Sequence, residues 1–158
     1  MLYTEYDSPV GRLLLCSDGT ALTGVYFPTQ KVDVSAMERR DSLPLLRRAQ
    51  AWLEAYFAGT PEPVDFPLEP GGTAFQRRVW QHLRSVPFGQ TVTYGEIARK
   101  LGPCMSAQAV GQAVGKNPIS ILIPCHRCLG ARKKLTGYAG GLEQKKWLLT
   151  HEGCGFRD

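Results

Sequence analysis

The sequence predicts an α+β protein: a small N-terminal antiparallel-sheet domain followed by a mainly helical C-terminal domain with a helix-turn-helix. Three observations predict it. Apolar and polar residues alternate through residues 2–6 and 12–16, the period of half-buried strands. From Thr73 onward apolar residues recur instead at three- and four-residue steps, with Thr or Ser placed to cap the runs. Between the two patterns lies Glu69-Pro70-Gly71-Gly72, and the charge balance changes there too. Residues 1–72 carry six Lys or Arg against ten Asp or Glu; residues 73–158 carry thirteen against four. The domains expected are 1–70, a scaffold, and 73–158, a basic half suited to a polyanion.

In the first domain Ser8-Pro9-Val10-Gly11 is a turn between the alternating runs, so a hairpin is expected. Asp18-Gly19 turns the chain again, and residues 22–27 read as a third strand. Residues 28–42 are polar and irregular, with Glu38 to Asp41 on a solvated loop or short helix. Leu46, Ala49, Leu53 and Phe57 mark an amphipathic helix over 43–57, closed by Gly59. Residues 64–68 can add a short edge strand, limited by Pro63 and Pro67.

In the second domain Thr73 caps a helix whose apolar face is Phe75, Val79, Trp80 and Leu83, ending near Pro87-Phe88-Gly89. Thr93 caps residues 94–101, which stop at Gly102-Pro103, and Ser106 caps residues 107–115. Two short helices joined by a tight turn match a helix-turn-helix, although an ordinary helical hairpin reads the same way. The helix over 107–115 is almost without bulk, since Ala107, Ala109, Gly111, Ala113 and Gly115 carry so little side chain. Each glycine costs about 1 kcal/mol relative to alanine, which is tolerable where another surface must approach closely. A last helix over 142–152 is expected to turn Trp147, Leu148 and Leu149 inward and Lys145 and Lys146 outward.

The chain has 158 residues, 43% of them hydrophobic and 21% charged, ordinary for a globular protein. No basic start precedes an apolar stretch and no run approaches the roughly 18 apolar residues of a membrane span. Five cysteines are an odd number without scaffold density, so a reducing cytoplasm is expected.

The chemistry concentrates in residues 117–127. Residues 119–123 form an apolar, β-branched run expected as a buried strand that Pro124 ends, presenting Cys125 and His126. An imidazole and the Arg127 guanidinium beside a thiol are the surroundings that lower a cysteine pKa from about 8.5. Cys125-His126-Arg127-Cys128 also fits Cys-x-x-Cys, yet the loop that follows is basic and glycine-rich, unlike the helix a thioredoxin-like site needs. A zinc site lacks a second ligand pair, and no metal is expected. A carboxylate at Glu152 could orient His126, which could then deprotonate Cys125 directly or through a water.

Pro124-Cys125-His126-Arg127, preceded by Gly115-Lys116-Asn117-Pro118 and followed by Thr136-Gly137-Tyr138-Ala139-Gly140-Gly141-Leu142, resembles the methylated-DNA–protein-cysteine methyltransferases, the O6-alkylguanine-DNA alkyltransferases. Phe75-Gln76, Val79-Trp80, Val92-Thr93-Tyr94-Gly95 and His151-Glu152-Gly153 extend the resemblance over residues 73–153. It implies a one-turnover repair protein without cofactor. Cys125 would accept the alkyl group from O6-alkylguanine, and more weakly O4-alkylthymine, as a permanent thioether. His126 would be the base, oriented by Glu152; Tyr94 would protonate the purine and help extrude the nucleotide; Asn117 would brace the turn beside the thiol. Val114, Tyr138 and Ala139 would line the base pocket. Ala107, Gln108, Gly111, Gln76 and Arg132 would meet double-stranded DNA from its minor-groove side. A monomer is implied, with no membrane partner.

Two positions depart from the resemblance. Gln108 stands where an arginine normally fills the gap left by the flipped base, and Cys128 replaces an aliphatic residue. Gln108 keeps open the alternative of a protein that binds the lesion without repairing it; the retained Cys125 argues against that. A methyl-activated transcription regulator would need a further metal-binding domain.

Overall fold

The computed structural model describes residues 1–158, which divide into two compact units, Met1–Gly71 and Gly72–Asp158. In the first, β1 (Leu2–Ser8) and β2 (Gly11–Ser17) form the expected hairpin, and β3 (Leu22–Tyr26) continues it on the far side of β2. The tight turn requires Gly11 at φ 103°, a conformation that L side chains rarely adopt. α1 (Pro44–Phe57) lies on this sheet through Leu46, Ala49, Leu53 and Tyr56, against Leu13, Leu15 and Val25, all 0% exposed. Burying each such aliphatic side chain is worth roughly 1.5–3 kcal/mol.

Two local expectations change. Glu38 to Asp41 is neither free loop nor helix: β4 (Glu38–Arg39) runs parallel beside β1, giving the order β3-β2-β1-β4. Backbone pairing recruits it, with Glu38 N donating to Met1 O and Arg40 N to Tyr3 O, while its side chains stay exposed. Residues 64–68 shrink to one bridge, Leu22 with Leu68, because the prolines there cannot donate to a ladder.

The second unit starts with α2 (Ala74–Arg84), whose Thr73 cap and Gln76 close a reciprocal capping box. A two-residue β5 (Val92–Thr93) leads into α3 (Tyr94–Leu101), where Thr93 and Glu96 make a second capping box. α4 (Ala107–Gly115) is capped by Ser106. These three helices pack together, and the buried Trp80 indole donates to the Ala113 carbonyl at 2.8 Å. The near absence of side chain on α4 permits that approach. Residues 119–123 are buried but are not a strand; they form a compact turn that uses its own polar groups. β6 (Cys128–Leu129) then pairs parallel with β5, Cys128 opposite Val92 and Leu129 opposite Thr93. α5 (Leu142–His151) completes the unit. No helix is long and apolar enough to cross a membrane.

Candidate active site

Asn117 builds the turn that presents the thiol. Its side-chain oxygen accepts from Ile119 N at 3.0 Å, and its amide donates to Ile119 O and Ile123 O at 3.3 and 2.8 Å. Ile123 N returns to Ile119 O and Cys125 N to Ile123 O. With these groups bonded within the turn, only a single bridge at Ile119 remains of the expected strand, which is how an apolar, β-branched run escapes the sheet. The tightness shows at Ile121, a β-branched residue at φ 73° and 1% exposed. Such a conformation costs of order 1–3 kcal/mol and persists where its surroundings over-determine it.

Cys125 opens a single turn of 3₁₀ helix, Cys125–Arg127, and is 3% exposed. The next residue, His126, is fully buried with Nε2 2.6 Å from Glu152 Oε2. Arg127 does not face the thiol. It forms a forked pair with the same carboxylate, Nε to Oε1 at 2.7 Å and Nη2 to Oε2 at 3.1 Å, donates to Val86 O, and lies over the Phe88 ring. Gly89 N adds a fourth donor to Glu152.

These contacts fix the protonation pattern. Burial alone would raise the Glu152 carboxyl, but the hydrogen bond from His126 and the Arg127 guanidinium outweigh it and hold it at about 2. Burial lowers His126 below its ordinary value despite Glu152, with Arg127 and Lys145 acting in the same direction. A neutral imidazole facing a carboxylate must donate from Nε2, which leaves Nδ1 as its basic nitrogen. Cys125 departs from expectation: burial pushes its thiol up, and hydrogen bonds from Asn117 and Tyr138 with the charge of Lys145 only partly offset this. The resting site therefore holds a thiol rather than a standing thiolate.

Lys145 is the residue that sequence reading misplaced. It is 1% exposed, and its Nζ donates to Cys128 O at 2.8 Å and to Thr136 Oγ1 at 3.3 Å. Thr136 Oγ1 in turn lies 2.6 Å from the Tyr94 hydroxyl. The signal was present: Lys145, Leu148, Leu149 and Glu152 follow i, i+3, i+4, i+7 spacing, so all four belong to one helix face. Trp147, expected inward, is instead half-buried and stacks on His151 at 4.9 Å.

The remaining predicted residues fall into two groups. Asn117 and Tyr138 are close enough to the Cys125 thiol to offset part of its rise, and Tyr94 is held through Thr136 with its ring beside Gly111. Val114 is buried at 6%, while Ala139 is exposed. Ala107 and Gln108 are exposed on the first turn of α4, and Arg132 on a turn where it adopts φ 59°. Gln76 spends its side-chain oxygen on the α2 capping box. With Gly111, Gln112, Gly115 and Lys116 it lines a cleft of about 490 Å³ between α2 and α4, the space that the small residues of α4 leave open. Burial pushes Tyr94 up, the Thr136 hydrogen bond notwithstanding, so its hydroxyl keeps its proton.

Residues 74–154 match the family described as 6-O-methylguanine DNA methyltransferase, DNA binding domain, and residues 1–70 match its ribonuclease-like domain. A methylated-DNA–protein-cysteine methyltransferase of Haemophilus influenzae is 44% identical over 100% of this chain and 89% of its own. One from Methanosarcina acetivorans is 44% identical over 97% and 99%. A crystal structure of Mycobacterium tuberculosis OGT in complex with DNA superimposes with a TM-score of 0.87 at 41% identity, covering 96% of this chain and 92% of that one.

Proposed function

The chain belongs to the 6-O-methylguanine DNA methyltransferase family, and from that premise we propose how its own residues do the work. It is a DNA-repair enzyme that reverses alkylation directly, moving the alkyl group from O6 of guanine in DNA to a cysteine of its own. Cys125 is that cysteine. The observation that carries this reading is the buried Cys125 thiol followed immediately by an imidazole whose Nε2 is tied to Glu152 at 2.6 Å.

His126 Nδ1 takes the thiol proton through a water as the lesion enters; the sulfur attacks the alkyl carbon as its bond to O6 breaks. The oxygen recovers carbonyl character, and the Tyr94 hydroxyl, still protonated because it is buried, supplies a proton to the purine. The product is a thioether, so each molecule acts once. Holding Cys125 as a thiol until substrate arrives spares a nucleophile that cannot be regenerated. Asn117 braces the turn, and Val114, Tyr138 and Ala139 line the base pocket.

The second unit would engage duplex DNA from the minor-groove side, with the smooth face of α4 (Ala107, Gln108, Gly111) and Gln76 against the groove. Arg132 would contact phosphate. The target atom lies inside the stack, so the nucleotide must be flipped at a cost of a few kcal/mol. Nothing in this scheme needs a cofactor, base-sequence readout or a second copy, and five free cysteines suit the reducing cytoplasm. O4-alkylthymine would react more weakly.

Intact-protein mass after mixing with excess duplex containing one O6-methylguanine tests the assignment. One added methylene, about 14 Da, on the wild type and none on Cys125→Ser is the expected result. Tight lesion binding with no mass gain would move the chain to lesion recognition without transfer.

A further inference from the structure

Cys125 and Cys128 bracket the one 3₁₀ turn of the site, and Cys128 N donates to Cys125 O to close it. In a 3₁₀ turn the chain rises about 2.0 Å per residue, so the Cα atoms at its two ends lie about 6 Å apart, although Cys128 itself is already extended as it enters β6. Disulfides span roughly 4.4–6.8 Å between Cα atoms. Both residues are free thiols, 3% and 0% exposed. Lys145 Nζ donates to Cys128 O at 2.8 Å, and its charge favours the thiolate of both residues.

We propose that Cys125 and Cys128 form a reversible disulfide when the protein meets hydrogen peroxide, with Cys128 as the resolving thiol. Burial decides the oxidant class: a peroxide is small enough to reach the site, whereas a bulky disulfide such as oxidised glutathione is not. The Cys125 thiolate attacks the peroxide, the O–O bond breaks, and one equivalent of water leaves with Cys125 as a sulfenic acid. The Cys128 thiolate then attacks that sulfur, the S–O bond breaks, and a second water leaves. Two thiols lose two protons and two electrons, and the peroxide is reduced to two waters.

A sulfenic acid with no partner thiol climbs to sulfinic acid, which is irreversible. Cys128 arrests Cys125 at a stage that a dithiol reductant restores. The burial that raises Cys125, and pushes Cys128 up to about 12, makes the step slow at neutral pH, so the device responds to sustained peroxide. That the disulfide interrupts repair rests on Cys125 being the alkyl acceptor; its formation does not.

The test exposes reduced full-length protein to excess hydrogen peroxide, blocks remaining thiols under denaturing conditions, and digests with trypsin, which cuts between the two cysteines after Arg127. The expected product is residues 117–127 linked to residues 128–132, with methyl-acceptor capacity on O6-methylguanine duplex falling in step and returning after dithiothreitol. Cys128→Val should instead gain oxygen on Cys125 and lose capacity without recovery. Oxygen adducts on wild-type Cys125 with Cys128 still free, a link to Cys104 or Cys154, or both thiols intact while exposed Cys104 is oxidised would each overturn the proposal. Reduced protein that takes no methyl group would overturn the acceptor reading instead and leave the linkage map standing.

Discussion

The two units of this protein treat polar groups in opposite ways. The first buries only Thr4 and Ser17 among its polar side chains, each hydroxyl donating at 2.7 Å to an oxygen of its own unit. Its charges stay outside, as in the Arg12–Asp7 pair, whose side chains are 63% and 76% exposed. The second buries Asn117, Ser120, His126, Arg127, Lys145 and Glu152. Taking charges out of water costs several kcal/mol per ion, and replacing such a pair by apolar residues is often neutral or stabilising. Stability therefore does not explain this interior. The charged groups within it form connected pairs instead: Glu152 holds His126 and Arg127, and Lys145 donates to Cys128 O and Thr136 Oγ1.

The largest effect expected separates the two interiors directly. Glu152→Ala strands Arg127, which is 7% exposed, together with the Gly89 amide and the His126 Nε2 donor. Removing one partner of a buried pair costs about 3–5 kcal/mol. Leu53→Ala, at a 0% exposed position of the first unit, costs a comparable amount, roughly 2–5 kcal/mol. Urea unfolding should show both losses. Alkyl transfer per folded molecule should fall at least tenfold for Glu152→Ala and stay at the wild-type rate for Leu53→Ala. Equal transfer losses at equal folded fraction would dissolve the distinction.

Acid should discriminate next. His126 binds its proton below the ordinary value of about 6.5 when folded, so the unfolded chain takes a proton first and stability falls as pH drops below about 6.5. Glu152, held at about 2 against about 4.3 unfolded, adds stability that is complete above about pH 5 and is lost progressively as pH falls towards 2. Both groups act in one direction and both belong to the second unit. Its amide protons should lose exchange protection on acidification from pH 7 to 4 before those of the first unit's sheet. Uniform loss across both units would assign the acid response elsewhere.

Sequence reading reached the elements because their signals are local. Thr73 and Thr93, each followed three residues later by Gln or Glu, are capping boxes legible without coordinates, and both form. The pairing of His126 with Glu152 was also legible. Three things were not. Residues 119–123 have strand composition, and only the three hydrogen bonds of Asn117 to the turn reveal why they curl. Arg127 was expected at the thiol because sequence adjacency says nothing about side-chain direction; a carboxylate 25 positions away claims it. Lys145 was sent outward on charge alone, although its spacing to Leu148 and Leu149 placed it inward. Arg127 and Lys145 found partners 25 and 17 positions away, beyond any local window, whereas Asn117 bonds only two and six residues on, through a side-chain turn that strand-like composition does not announce.

The smallest effect lies on the exterior of the second unit and tests whether exterior and interior act separately. Gln108 is exposed on the first turn of α4, two residues past the Ser106 cap. Its amide can hydrogen-bond to an orphaned cytosine and fill part of the gap left by a flipped base, but it brings no charge to a polyanion. Gln108→Arg adds one. A cation in the first turn works against the helix dipole by about 0.3–1 kcal/mol, so the variant should be no more stable than wild type. Duplex affinity should rise several-fold, with the salt slope steeper by about one unit. Transfer from lesion-bearing duplex at limiting protein should quicken by a similar factor. Transfer from the free O6-alkylguanine base, which needs no flipping and no phosphate contact, should not change, because Cys125, His126 and Glu152 are untouched. Equal rates for the two proteins on duplex would remove Gln108 from the DNA surface. A faster reaction with the free base would show that the α4 exterior acts on the buried thiol after all.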